Sequence, residues 1–379
     1  MPTLAAHDYR TGAPIRIETA NGRITAIHAG SPQAGDHVAQ WVSPAWFDLQ
    51  INGALGISFN AHDLTIEQVH RVIHHCRSHG IGALLPTLVT TSEAAFAHGY
   101  RILTQAMDQD TELAQRIAGF HQEGPFLSSE DGPRGAHPRD QVRPPDWDEF
   151  CRLQDAARGR IRLLTLAPEQ PGAIPLIERV VASGVVVAIG HTAATPAQIR
   201  DAVAAGATLS THLGNGSHAM LPRHDNYLWE QLGTDALHAS IIPDGFHLPE
   251  TLVRIFTRVK TPQRLIITCD ASSLAGLPAG RYSMWGNEFE IAETGRIGVP
   301  GTPFLAGSGV FTDQCIGTML RMTGISLAEA ISMASDQPRR LLGLPIPELA
   351  VGHPADLVGF NWEPGGPLSV TVPPGRISA

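Results

Sequence analysis

Short apolar runs rich in Val, Ile, Leu and Thr recur along the chain. Each ends in polar residues or in Gly or Pro, and most are followed by a stretch whose apolar positions repeat at helical spacing. Eight such runs stand out: PAWFDLQING (44–53), ALLPTLV (83–89), IAGFHQEG (117–124), RLLTLAPE (162–169), VVVAIGHT (185–192), TLSTHLGN (208–215), HASIIPDGFH (238–247) and RLIITCDA (264–271). Between them, LTIEQVHRVIHHCRSHG (64–80) and TPAQIRDAVAAGA (195–207) alternate apolar and polar positions as amphipathic helices do, and each closes on a glycine suited to end a helix. Eight strand-then-helix units predict an α/β protein built as a (β/α)8 TIM barrel. In that architecture the functional side chains gather where the strands end at their C-termini.

The flanks break the rhythm. Residues 1–43 include PIRIETANGRITAIHAG, two strand-like runs around the turn signal Asn21-Gly22. From about residue 345 onward the chain is again short strands punctuated by Pro and Gly. Neither end can form a core alone, so 1–43 and 345–379 are expected to pair into one small β-sandwich domain beside a barrel domain spanning 44–344. A further segment, 274–303, reads as hairpins inserted after strand eight. There is no internal repeat and no low-complexity stretch.

Composition narrows the function. With 379 residues, 43% of them hydrophobic, the chain can bury one large core and a smaller second one. A formal net charge of −9 and the lack of a dense Arg/Lys cluster argue against a nucleic-acid partner and for a small molecule. Lys260 is the single lysine, and it sits beside Thr261-Pro262 at the end of a helical stretch, a poor place for a Schiff base or a metal-bridging carbamate. Cys76, Cys151, Cys269 and Cys315 are scattered without a CxxC, which fits reduced thiols. No signal peptide opens the chain and no run approaches the roughly 20 apolar residues of a membrane span. A cytoplasmic location without a membrane partner is the expectation.

The chemistry follows from the strand ends. Ile117, Ala118 and Phe120 lead into His121, Gln122 and Glu123 before Gly124-Pro125 halts the run. A carboxylate at the end of a buried strand needs a positive partner. Glu123, His191 and His212 close strands three, five and six, so a barrel aims all three into one mouth. One carboxylate and two imidazoles form a ligand set for a catalytic divalent ion with positions left open. Nothing resembles HExxH, so the signal is the shared position rather than the spacing. Asp270 ends strand eight and faces the same mouth, where it can take a proton from the attacking water and hand it to a leaving nitrogen. His137 and His247 are placed to touch substrate rather than metal. His74, His75 and His79 lie in the 64–80 helix and read as surface or packing residues, and His121 points the same way as Glu123 along its strand.

At these residues the chain resembles the N-acetylglucosamine-6-phosphate deacetylases of the amidohydrolase superfamily. DLQING, HQEGPFL, GAH, TLAPE, GHT, THLGN, PDGFH, CDAS, GLPAGRY, LAGS and the closing GHPADLVGF occur in that family's order and spacing. The resemblance implies a barrel with an appended β-sandwich, a homodimer, and removal of acetate from an N-acetylamino sugar. It makes Glu123, His191 and His212 metal ligands, Asp270 the general base and acid, and His137 a contact of the amide carbonyl. His247 and Asn215 correspond to sugar or phosphate contacts, Gly216 to a backbone N–H donor, and Leu305 and Ala306 to the lining of the acetyl end.

Two departures matter. Where many amidohydrolases carry HxH at the end of strand one for a second metal, this chain has Gln50-Ile51-Asn52. Amides are poor ligands beside imidazoles, so one divalent ion is expected, Zn²⁺ first and Fe²⁺, Co²⁺ or Mn²⁺ as alternatives. After THL the loop reads GNGSHAMLPRHDNYLWEQL, altered and longer, with Arg223 near where the family's phosphate-binding arginine falls. Two substrates therefore stay open: the 6-phosphate sugar, and an unphosphorylated N-acyl sugar or other small cyclic amide.

Overall fold

The structure is a computed structural model describing residues 3–284, 287–302 and 305–375. All eight apolar runs form strands, Trp46–Ile51, Ile81–Val89, Phe120–Glu123, Ile161–Leu166, Val186–Ile189, Leu209–Ser210, His238–Ile241 and Leu265–Ile267, paired in chain order in one parallel sheet. Helices fill the connections, as right-handed crossovers between parallel strands require. Two of them answer directly to sequence signals. Ile66–Ser78 and Pro196–Ala204 each begin at a threonine, Thr65 and Thr195, that forms a capping box with a glutamine three residues on. Val69, Val72, Ile73 and Cys76 make the buried stripe of the first, and Ile199 and Ala202 that of the second.

The barrel closes at a seam between strands one and eight, where the ladder shrinks to a parallel bridge between Ile51 and Ala271. The Asn52 N–H donates to the Ala271 carbonyl there at 3.0 Å. The fully buried Asp48 carboxylate ties the seam further. It accepts from the Thr268 hydroxyl and the Cys269 N–H on strand eight's side, from the Gln50 N–H on its own, and from the Thr312 hydroxyl of the following helix.

The two chain ends meet as expected. Their strands join in one six-stranded sheet, in the order Ser369–Val372, Leu357–Asn361, His37–Pro44, Thr3–Asp8, Pro14–Ala20 and Arg23–Ala29. Leu4, Ile17, Ile24, Val42, Leu357 and Val372 give it a separate small core. Asn21 and Gly22 both take positive φ (50° and 70°), the two-residue turn that the Asn-Gly signal predicts. The outermost residues of the expected small domain, 1–2 and 376–379, lie outside the described residues. The insertion forms a three-stranded sheet of Gly280–Met284, Asn287–Ile291 and Ile297–Gly298. No helix among the described residues is long and apolar enough to cross a membrane. All four cysteines are free.

Candidate metal centre

Glu123 is the last residue of strand three, and His191 and His212 stand two residues beyond strands five and six. Both histidines and Asp270 adopt left-handed backbone, φ 50°, 28° and 52°. Non-glycine residues rarely occupy that region, at a cost of order 1–3 kcal/mol each, and of the seven that do so among the described residues three line one mouth. The twist turns each side chain inward just after its strand ends.

The three side chains converge. Glu123 Oε1 lies 2.9 Å from His212 Nε2 and 3.1 Å from His191 Nε2, and the two imidazole nitrogens are 3.1 Å apart. All three residues are buried, and among the described residues they are the one group of His, Cys, Asp or Glu whose ligand atoms gather this closely. The chemistry of the donors tests whether a cation fits. His191 Nδ1 stands 2.8 Å from the Pro133 carbonyl, which can only accept, so Nδ1 carries the proton and the neutral ring turns a lone pair on Nε2 to the cluster. A lone pair facing a carboxylate oxygen and a second imidazole nitrogen needs positive charge among them, and a divalent ion fits that need. The Pro133 carbonyl is also the kind of outer partner that fixes a metal-binding histidine. Burial alone would raise the Glu123 carboxyl, but the imidazoles of His191 and His212 beside it outweigh burial and hold it well below its ordinary value.

The other expected residues fall around this group. His137 is buried with its Nε2 3.2 Å from His191 Nε2 and its Nδ1 without a partner among the described residues, and burial, with the neighbouring His191 next, pulls its pKa down to about 3. Asp270 is not in the cluster, but it is bound to the amides next to it. Gln50 Nε2 donates to both Glu123 Oε2 (3.0 Å) and Asp270 Oδ1 (2.9 Å), and Asn52 Nδ2 donates to Asp270 Oδ1 at 2.6 Å. Burial, and after it the Glu123 charge, push the Asp270 carboxyl up to about 6. At the position considered for a second metal, therefore, the amides present N–H groups to carboxylates.

Gly216 (φ 57°) is pressed against the centre: a Cβ there would sit 2.7 Å from His191 Nδ1 and 3.1 Å from the Pro133 carbonyl oxygen. The Asn215 side chain donates to the His212 carbonyl at 3.2 Å, closing the turn that carries the ligand. His247 pairs with Asp244. Leu305 bridges to Gly298, and Ala306 packs on the core of the inserted sheet, two residues before Ser308, whose N–H donates to the Asp270 carbonyl. Arg223 lies exposed on its loop, its carbonyl accepting from Trp229 Nε1 at 3.1 Å; among the described residues no hydrogen bond ties its guanidinium to the centre. His121 faces the barrel interior, between the Thr165 and Thr87 hydroxyls, and burial pulls its pKa down to about 4. Sequence reasoning missed Pro133, Asp244 and Ser308. The aspartate three residues before His247 in PDGFH was the one signal available.

A parallel barrel with one carboxylate and two imidazoles gathered at its C-terminal strand ends, and a separate carboxylate held beside them, defines a metal-dependent barrel hydrolase. No family model matches the chain. It is 35% identical over 316 residues to human N-acetylglucosamine-6-phosphate deacetylase, covering 80% of this chain and 75% of that protein. It is 29% identical over 329 residues to N-acetylgalactosamine-6-phosphate deacetylase of Escherichia coli O157:H7, covering 87% and 85%. The fold matches the crystal structure of N-acetyl-D-glucosamine-6-phosphate deacetylase from Mycobacterium smegmatis with a TM-score of 0.88 and 32% identity, over 100% of this chain and 99% of that one. The chain belongs to the N-acetylglucosamine-6-phosphate deacetylase family of the amidohydrolase superfamily.

Proposed function

We propose that the protein hydrolyses the acetamide of an N-acetylhexosamine 6-phosphate, N-acetylglucosamine 6-phosphate first, to the free amine and acetate. The observation that carries this reading is the convergence of Glu123, His191 and His212 beside a carboxylate, Asp270, that stays outside the cluster. Glu123, His191 and His212 would hold one divalent ion, and an N,N,O donor set favours Zn²⁺ while accepting Fe²⁺, Co²⁺ or Mn²⁺. Such an ion, when bound, polarises a carbonyl and lowers the pKa of water toward neutrality.

The chain's own groups do the rest. Asp270 takes a proton from the attacking water as its oxygen bonds to the acetyl carbon. It then passes that proton to the nitrogen as the C–N bond breaks, leaving acetate and amine. Gln50 and Asn52 hold the Asp270 carboxylate in place for both transfers. His137 meets the amide carbonyl, and Leu305 and Ala306 line the acetyl end. His247, Asn215 and the Gly216 N–H hold the sugar, and Arg223 meets the phosphate. The protein acts as a homodimer in the cytoplasm, a location that four free cysteines support. Its working unit is the 44–344 barrel, with 1–43 and 345–379 as the appended domain.

Acetate release from N-acetylglucosamine 6-phosphate, N-acetylgalactosamine 6-phosphate and their unphosphorylated forms, with metal analysis of the purified protein, tests this. Preference for a phosphorylated sugar and one ion per chain is expected. Equal turnover of both forms, or none of the phosphorylated ones, refutes the phosphate reading, and a metal-free active enzyme refutes the centre.

A further inference from the structure

Four hydrogen bonds converge on the Asp244 carboxylate. Oδ1 accepts from the N–H groups of Phe246 (2.8 Å) and His247 (2.9 Å). Oδ2 accepts from the Ser308 hydroxyl (3.0 Å) and lies 2.7 Å from His247 Nδ1. The first two make an Asx turn, which would be reason enough for an aspartate in PDGFH. The second two are not needed for the turn. They bind a side chain three residues on and another from beyond strand eight, and they do so in near-complete burial: the Asp244 and His247 side chains are 1% and 7% exposed.

A carboxylate oxygen only accepts, so the contact at 2.7 Å puts the proton of His247 on Nδ1. Nε2 is left with its lone pair, and among the described residues it makes no hydrogen bond. Ser308 links this pair to the centre. Its N–H donates to the Asp270 carbonyl and its own carbonyl accepts from the Ser272 N–H, both at 2.9 Å.

We propose that Asp244 is a positioning residue that, with Ser308, locks His247 in the Nδ1–H tautomer, so that Nε2 accepts a hydrogen from a sugar hydroxyl and reads its position. This rests on the reading above in which His247 meets the sugar. Asn at 244 can still accept both backbone bonds through Oδ1, which keeps the turn. Its Nδ2, however, then faces His247 Nδ1 as a donor, forcing Nδ1 to accept and moving the ring proton to Nε2. The same logic governs the aspartate of a Ser-His-Asp triad.

The test pairs ¹⁵N NMR of the histidine rings with steady-state kinetics on the metal-loaded enzyme, using N-acetylglucosamine 6-phosphate. The wild type should carry the His247 proton on Nδ1 and Asp244→Asn on Nε2. Asp244→Asn should raise KM about tenfold or more, the effect of reversing one buried hydrogen bond, with kcat changed less. Ser308→Ala should keep the tautomer and raise KM only a few-fold. An Nε2–H ring in the wild type overturns the proposal, even if Asp244→Asn fails to fold. So does an Asp244→Asn enzyme with the wild-type tautomer or an unchanged KM. Acetate release by the wild type alone tests the functional reading, whereas the ring state and the ratio of variant to wild type test this one, so the two fail separately.

Discussion

Gln50→Leu tests how the mouth is wired. One amide nitrogen spends both of its hydrogens on carboxylates, Glu123 Oε2 at 3.0 Å and Asp270 Oδ1 at 2.9 Å. Leucine nearly fills the same space, so the change removes two charge-assisted hydrogen bonds and leaves little void. Each is worth about 1.5–3 kcal/mol, or roughly 10- to 150-fold. The two losses are read separately. On Glu123 the loss appears as weaker metal binding, and outer partners of metal ligands typically matter by about 10- to 100-fold. On Asp270 it appears in kcat, toward the lower end, because Asn52 still donates to the same oxygen at 2.6 Å. Competition for Zn²⁺ against a chelator buffer gives the first, and turnover at saturating metal gives the second. Affinity and kcat both within twofold of wild type would refute this wiring. Two tightly bound ions per wild-type chain would do so as well, since the amides would then be acting as ligands.

Asp270→Asn should abolish turnover while leaving metal content nearly unchanged; loss of the ion instead would make Asp270 a ligand. Chelation should remove activity, and one equivalent of divalent ion should restore it; activity that survives exhaustive dialysis against chelator contradicts the centre. Asp48→Ala strips the acceptor from four donors at the barrel seam and should lower stability by about 4 kcal/mol or more, read as a reduced urea midpoint; a change under about 1 kcal/mol would show that the seam closes without it. Lys260, buried with its Nζ donating to the Thr234 and Leu237 carbonyls, has its pKa pulled down to about 8 by burial. Between about pH 8 and the lysine's ordinary value the unfolded chain holds the proton more firmly than the fold, so wild-type stability relative to Lys260→Met should climb with pH, by no more than about 1.4 kcal/mol per unit. A flat difference across that range would refute it.

The barrel was legible because strand and helix periodicities are local. Val69, Val72, Ile73 and Cys76 mark their helix within one short window, and the Asn21-Gly22 turn names itself. Glu123, His191 and His212 were legible because each is a polar residue ending an apolar run, a position that only a barrel turns into proximity. What stayed hidden depends on contacts between distant parts of the chain. Nothing near Asp48 announces that its partners lie at Thr268 and Thr312, and nothing near Gln50 reveals that its amide faces two carboxylates as a donor. Pro133 matters through its carbonyl, which every residue has, so no residue type could have pointed to it. Arg223 shows the converse: its side-chain chemistry suits a phosphate, yet its place on an exposed loop was beyond the reach of pattern.

The left-handed backbone at His191, His212 and Asp270 has an evolutionary consequence. Glycine at any of the three would relax the main chain and take away the side chain that the turn exists to deliver. Selection for thermal robustness alone would therefore erode these positions early, and a descendant freed from its substrate should drift toward a sturdier, silent barrel. Two histidines and an aspartate stand in this chain where glycine would rest more easily.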